Sequence, residues 1–144
     1  MNENIISFIP SAGYGERLRP LTDYIPKPLL PILGKPALER VIKRVSEIGI
    51  KKIGINLHHK KELITGWLKE TNLLNFKNIT LFYENQLLGT GGGLKNAEIF
   101  LKENHFLVYN SDIVTNIDLL KLIYHHLNSS NIATLAVQNL SLFN

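Results

Sequence analysis

The chain has 144 residues, 44% of them hydrophobic and 19% charged, which suits one globular domain with a buried core and argues against disorder. It contains no cysteine, which excludes disulfides, zinc–thiolate sites and thiol catalysis. The net charge is +4, but no basic block exceeds Lys51-Lys52 or Lys60-Lys61, so no nucleic-acid partner is expected. No apolar run reaches the roughly 18 residues of a membrane span. The start Met1-Asn2-Glu3-Asn4 lacks the basic region of a signal peptide. A cytoplasmic protein with no membrane partner is the expectation.

Ile5 to Pro10 reads as a short buried strand, with Ile5, Ile6, Phe8 and Ile9 apolar. The Gly- and Pro-rich stretch after it is too irregular for helix or strand. Ala37 to Ile48 is predicted as a helix. Its Leu38, Val41, Ile42, Val45 and Ile48 fall at the spacing of one buried face. Pro36 suits its first turn and Gly49 its end. Lys52 to Leu57 is a second strand. Lys61 to Glu70 is a helix with Leu63, Ile64, Trp67 and Leu68 as its apolar stripe. Ile79 to Glu84, with Thr80 and Tyr83, is a third strand. Gly91 to Glu103 is a helix with Leu94, Ala97 and Leu101 inward. Phe106 to Tyr109 is a fourth strand, Ile117 to Leu127 a helix, and Ile132 to Val137 a fifth strand.

This alternation predicts an α/β domain over 1–144, Rossmann-like, with a mostly parallel sheet covered by helices on both faces. Ligands of such sheets bind outside the carboxyl ends of the strands. The loops after Ile9, Leu57, Glu84 and Tyr109 are therefore expected to face one site. The chain closes on an apolar segment, Leu140-Ser141-Leu142-Phe143-Asn144, and the expectation is a truncated, N-terminal part of a longer domain.

The loop Ser11 to Pro36 reads SAGYGERLRPLTDYIPKPLLPILGKP. Gly13 and Gly15 remove side chains where a ligand must approach the backbone, and their amides can form an anion-binding concavity. Arg17, Arg19 and Lys27 supply cations suited to phosphate. A dinucleotide fingerprint needs a third glycine where Leu18 stands, and a P-loop needs a Gly-Lys-Ser/Thr that is absent. Taken alone, Gly13-x-Gly15 is a plain glycine turn.

The wider pattern is more specific. It comprises Gly13-x-Gly15-x-Arg17-Leu18-x-Pro20-Leu21-Thr22, then Pro26-Lys27-Pro28-Leu29-Leu30-Pro31, then Gly34-Lys35-Pro36. Together these blocks resemble the sugar-1-phosphate nucleotidyltransferase family. Glu84 to Gly93 is similar to the family's base-reading loop and the helix after it, and Asn110-Ser111-Asp112 to its metal site. Pro10-Ser11-Ala12 departs from the Leu-Ala-Ala usual there. The triple glycine Gly91 to Gly93 and the Asn-Ser-Asp-Ile block are similar to those of enzymes acting on N-acetylmuramate 1-phosphate or mannose 1-phosphate.

The resemblance implies the nucleotide-diphospho-sugar transferase fold and a magnesium-dependent reaction between a nucleoside triphosphate and a sugar 1-phosphate. The products are a nucleotide sugar and pyrophosphate. It implies Arg17 on the triphosphate, Lys27 on the α-phosphate and sugar phosphate, and Asp112 on magnesium. It places the backbone at Ala12, Gly13 and Gly15 and the residues Glu84 and Gly89 on the nucleotide. The base and sugar stay open, and a homo-oligomer is compatible.

Each residue also has a plainer role open to it. Arg17 is also read as a solvated charge, Lys27 as a turn lysine between prolines, Asp112 as a helix cap, Glu84 as a strand end, and Gly91 to Gly93 as packing. The neighbours in His58-His59 and His125-His126 point apart and do not chelate readily. Trp67 and Tyr83 suit the core better than a base stack. The alternative function is a nucleotide-binding or regulatory fragment without turnover, since the family's sugar-binding half is expected beyond this length.

Overall fold

A computed structural model describes residues 5–73 and 78–137. The start Met1 to Asn4 and the apolar segment Leu140 to Asn144 lie outside the described residues. The chain divides into two compact units, Met1–Val114 and Thr115–Asn144.

The first unit is built on a four-stranded parallel sheet of β1 (Ile5–Pro10), β4 (Ile53–Leu57), β5 (Ile79–Tyr83) and β6 (His105–Val108), in the order β5-β4-β1-β6. Between β1 and β4 lie the signature loop, the short antiparallel pair β2 (Pro31–Ile32) and β3 (Lys35–Pro36), and helix α1 (Ala37–Glu47). Helix α2 (Lys61–Glu70) connects β4 to β5. Helices α3 (Gly89–Asn96) and α4 (Glu98–Leu101) connect β5 to β6. Right-handed crossovers put α1 and α2 on one face. Because β6 lies on the far side of β1, the same rule puts α3 and α4 on the other.

The sequence explains these elements closely. Leu38, Val41, Ile42 and Val45 of α1 are all buried. The helix stops because Gly49, at φ 89, takes the left-handed turn. Its N–H then bonds Ser46 O at 3.0 Å, while Ile50 N–H bonds Val45 O at 3.2 Å, the paired bonds of a Schellman end. In α2, Ile64 and Leu68 are buried and Leu63 is half exposed.

Two predicted elements differ. The helix expected over Gly91 to Glu103 starts earlier, at Gly89, and breaks at Ala97 into two pieces. Its inward residues Ala97 and Leu101 remain buried against Ile6 and Phe8. The fifth strand expected over Ile132 to Val137 is not a strand. A strand needs a neighbouring backbone ladder, and none of the described pairings includes these residues. Ile132, Leu135 and Val137 are 102, 82 and 87% exposed. In this second unit α5 (Leu119–Leu127) begins after Asp118, whose Oδ1 accepts the Lys121 N–H at 3.0 Å as an N-cap.

The α3–α4 face of the sheet is aromatic. Phe82 lies 6.2 Å from Phe8 and 5.5 Å from Phe100, ring centre to ring centre. Gly54 sits beneath all three rings. A Cβ there would come within 2.9 Å of Phe100, 3.1 Å of Phe8 and 3.1 Å of Phe82. Gly54→Ala forces these rings apart at a cost of about 1–3 kcal/mol, offset by at most about 1 kcal/mol from a stiffer unfolded chain. Denaturant titration is expected to show a net loss of stability. An unchanged midpoint would refute this packing.

Candidate functional site

A cleft of about 850 Å³ opens at the carboxyl ends of the strands. It lies where the chain switches direction, between β1 and β6, the place at which a doubly wound sheet leaves a crevice. Its walls come from the loop after β1, from Asn56 near the end of β4, from Leu87 to Thr90, and from Asn110 to Asp112. The loops expected after Ile9, Glu84 and Tyr109 do converge here, whereas the loop after Leu57 is not among the lining residues and the second strand contributes Asn56 instead.

The position of Asp112 follows from backbone pairing. Beyond the last residue of β6 the chain continues along β1. Tyr109 N–H bonds Phe8 O at 3.0 Å, and Ser111 gives both its N–H (3.4 Å) and its hydroxyl (2.8 Å) to Pro10 O. Asp112 therefore emerges beside the loop that follows β1. Tyr109 is buried, and burial raises its phenol pKa, with the Arg44 charge acting in the opposite direction.

The signature loop is a chain of tight turns at Glu16–Leu18, Leu21–Asp23 and Lys27–Leu29. Gly15 is what lets it fold back on itself. Its φ is 69°, and a Cβ would lie 2.9 Å from Thr22 Cγ2 and 3.1 Å from Lys27 Cβ. The Thr22 hydroxyl donates to Gly15 O at 3.0 Å and closes the fold. Gly15 thus serves loop packing, with Thr22 and Lys27 against its backbone, and it also lines the cleft. Gly13 and Gly89 differ, since nothing lies within 4 Å of a Cβ at either, and both line the cleft with Ala12.

Lys27, brought in by this fold, is ion-paired with Asp112. The sequence reading assigns these charges to different ligands, and the structure sets them face to face on the cleft wall. Arg17 also lines the cleft, whereas Arg19 turns to Asp23 at 3.4 Å and is not part of the wall.

Glu84 is placed differently from the expectation. It is 2% exposed and lies behind the wall. Its Oε1 accepts from Asn56 Nδ2 at 2.6 Å and its Oε2 from Leu88 N–H at 3.0 Å. Asn56 Oδ1 in turn accepts the Ser11 N–H at 2.9 Å. Glu84 therefore organises the loops and does not present its carboxylate to the cleft. A Cβ on Gly93 would lie 2.6 Å from Asn56 Nδ2 and 3.0 Å from Glu84 Oε1, so this glycine lets α3 close over the pair. The sequence reading missed Asn56, although a lone amide inside Ile53-Gly-Ile-Asn-Leu57 is a visible anomaly in a buried strand. Trp67 and Tyr83 do not line the cleft. Tyr83 is half exposed, with Lys61 Nζ 5.8 Å from its ring centre.

Among the described residues no three His, Cys, Asp or Glu side chains gather to hold a metal. Asp112 offers a single hard oxygen donor. That suits magnesium, which takes one or two carboxylates and completes its shell with phosphate and water. No helix of the described residues is long and apolar enough to cross a membrane.

The family model for nucleotidyl transferases matches residues 6–141 and so spans both units. The chain is 37% identical over 113 residues to the bifunctional protein GlmU of Methanocaldococcus jannaschii, covering 78% of this chain and 26% of that protein. It is 33% identical over 126 residues to the mannose-1-phosphate guanylyltransferase of Mycobacterium tuberculosis, covering 88% of this chain and 34% of the relative. Among solved structures it resembles HddC from Yersinia pseudotuberculosis complexed with GMP-PN, with a TM-score of 0.74 and 34% identity over 85% of this chain and 54% of that one. The chain thus spans about a quarter to a third of those curated relatives. Its parallel sheet, the cleft at its carboxyl edge and the family match agree: the chain belongs to the nucleotidyl transferase family.

Proposed function

We propose that this chain carries the nucleotide-binding part of a magnesium-dependent, cytoplasmic sugar-1-phosphate nucleotidyltransferase. The reaction would transfer a nucleotidyl group from a nucleoside triphosphate to a sugar 1-phosphate and release pyrophosphate. The observation that carries this reading is the cationic signature loop, folded by Gly15 so that Lys27 meets Asp112 across a cleft also lined by Arg17. The mannose-1-phosphate guanylyltransferases among the relatives and HddC complexed with GMP-PN favour a guanine nucleotide, and the former a hexose phosphate.

A sugar phosphate oxygen attacks the α-phosphorus, and the bond to the pyrophosphate oxygen breaks. No protein nucleophile is needed, so orientation and charge neutralisation account for the catalysis. Arg17 would hold the leaving pyrophosphate through its planar fork. Lys27 would leave Asp112 and turn to the α-phosphate. The freed Asp112 carboxylate would then hold magnesium, which supplies charge neutralisation between the phosphates. The open backbone at Ala12, Gly13 and Gly89 would admit base and ribose, and Glu84 would act indirectly by fixing Leu88.

The Lys27–Asp112 pair is partly exposed, so exchanging it for ligand contacts faces little desolvation penalty. The second reading, a binding module without turnover, predicts nucleotide binding that ignores Asp112.

A thermal-shift panel of UTP, dTTP, CTP, GTP and ATP with magnesium is expected to stabilise the chain, with GTP giving the largest shift. The shift should grow with ligand concentration over Kd. No shift with any triphosphate would contradict the reading. In Asp112→Asn the magnesium-dependent part of the shift is expected to vanish while a smaller metal-independent part persists. An Asp112→Asn response identical to that of the native chain would favour the binding module. Arg17→Ala is expected to weaken triphosphate binding by about tenfold, as removal of a charge-assisted phosphate contact should, and isothermal titration measures it.

A further inference from the structure

Among the described residues Tyr14 is the single aromatic side chain lining the cleft. It stands between Gly13 and Gly15, where an exposed ring would ordinarily turn freely. Here it is held from two sides. Its hydroxyl lies 3.2 Å from His58 Nε2, and its ring meets His58 edge-on at 5.6 Å and His59 at 5.1 Å between centres. The backbones are tied as well, with His59 N–H bonding Ala12 O at 3.4 Å.

His58 is itself anchored. Its Nδ1 lies 3.0 Å from Glu84 O. A carbonyl only accepts, so Nδ1 carries the proton. In the neutral ring Nε2 is then an acceptor, and the Tyr14 hydroxyl donates to it. A tether therefore runs from the buried Glu84, just beyond β5, through His58 to a ring that remains 40% exposed. An aromatic side chain fixed before binding loses little freedom when a ligand covers it.

We propose that Tyr14 is the stacking wall for the nucleobase and that His58 is the positioning residue that holds it. The proposal rests on the nucleotide reading of the cleft. An aromatic face suits any base, so Tyr14 would contribute affinity, while the choice among bases would be made elsewhere on the wall. Neither role requires the His58-His59 pair to bind a metal.

The test is isothermal titration of the chain with the tightest-binding triphosphate of the panel and, separately, with inorganic tripolyphosphate. The proteins are the native chain, Tyr14→Ala, Tyr14→Phe, His58→Ala and the Tyr14→Phe/His58→Ala double variant. Tyr14→Ala is expected to weaken nucleotide about ten- to hundredfold, the usual range for loss of a base–aromatic stack, and to leave tripolyphosphate unchanged. Tyr14→Phe and His58→Ala should each weaken nucleotide by a few-fold, and the double variant no more than the larger single loss, because both remove one hydrogen bond. Unchanged nucleotide binding in Tyr14→Ala, or an equal loss for tripolyphosphate, would overturn the stacking role. Additive losses in the double variant would overturn the positioning role. If the native chain binds tripolyphosphate no worse than nucleotide, stacking fails and the phosphate site stands. If it binds neither, the nucleotide reading fails and this proposal with it.

Discussion

A 2.6 Å hydrogen bond from Asn56 Nδ2 to Glu84 Oε1 joins two buried polar side chains near the carboxyl ends of adjacent strands. One end of this link receives the Ser11 N–H and the other the Leu88 N–H. The loops after β1 and β5 are thereby fixed to one another through strand β4 before any ligand arrives. Burying a carboxylate is costly unless its oxygens are satisfied, and here both are. Leaving either partner unmatched would cost about 1–3 kcal/mol or more, a large share of the roughly 5–15 kcal/mol that stabilises a domain. The cleft wall is therefore as well defined as the core behind it. Tyr14, suspended from Glu84 O through His58, and Gly93, packed onto the same pair, both take their places from it.

The charged side of the cleft depends on a second constraint, the compact path of the signature loop. The left-handed Gly15 and the Thr22 hydroxyl fold that loop back, and Lys27 reaches Asp112 as a result. Asp112 is positioned independently, by the bonds of Tyr109 and Ser111 to β1. Cation and carboxylate thus approach from separate elements and compensate one another in the free chain. An anionic ligand bearing its own cation exchanges one pairing for two, which matches the chemistry proposed for the cleft.

Much of the first unit was legible in the sequence because its signals are local. The spacing of Leu38, Val41, Ile42 and Val45, and a glycine at position 49, define a helix and its end without reference to the rest of the chain. The strand Ile5 to Pro10 and the helix Lys61 to Glu70 agree with the structure to the residue. Ile132 to Val137 has the apolar composition of a strand, but a strand also requires a partner ladder, which no local pattern encodes. The break at Ala97 likewise reflects packing of Ala97 and Leu101 on Ile6 and Phe8. On the cleft wall, Arg17 and Lys27 were legible as the cations of the loop, Asp112 through the resemblance of Asn110-Ser111-Asp112 to a family block, and their shared wall through topology. The burial of Glu84, the role of Asn56 and the tether on Tyr14 depend on contacts between residues 26 to 45 positions apart, which exist only after the sheet is assembled.

The claim that one buried link aligns the loops is tested most directly by amide hydrogen exchange in Asn56→Ala. Ser11 loses its acceptor outright in this variant. The Leu88 N–H bonds Glu84 and not Asn56, so it is affected through the freed Glu84 carboxylate. The account predicts faster exchange at both Ser11 and Leu88, by at least about tenfold, while amides in the middle of β1 and β4 keep their protection relative to global unfolding. Acceleration at Ser11 alone, with Leu88 as protected as in the native chain, would contradict it.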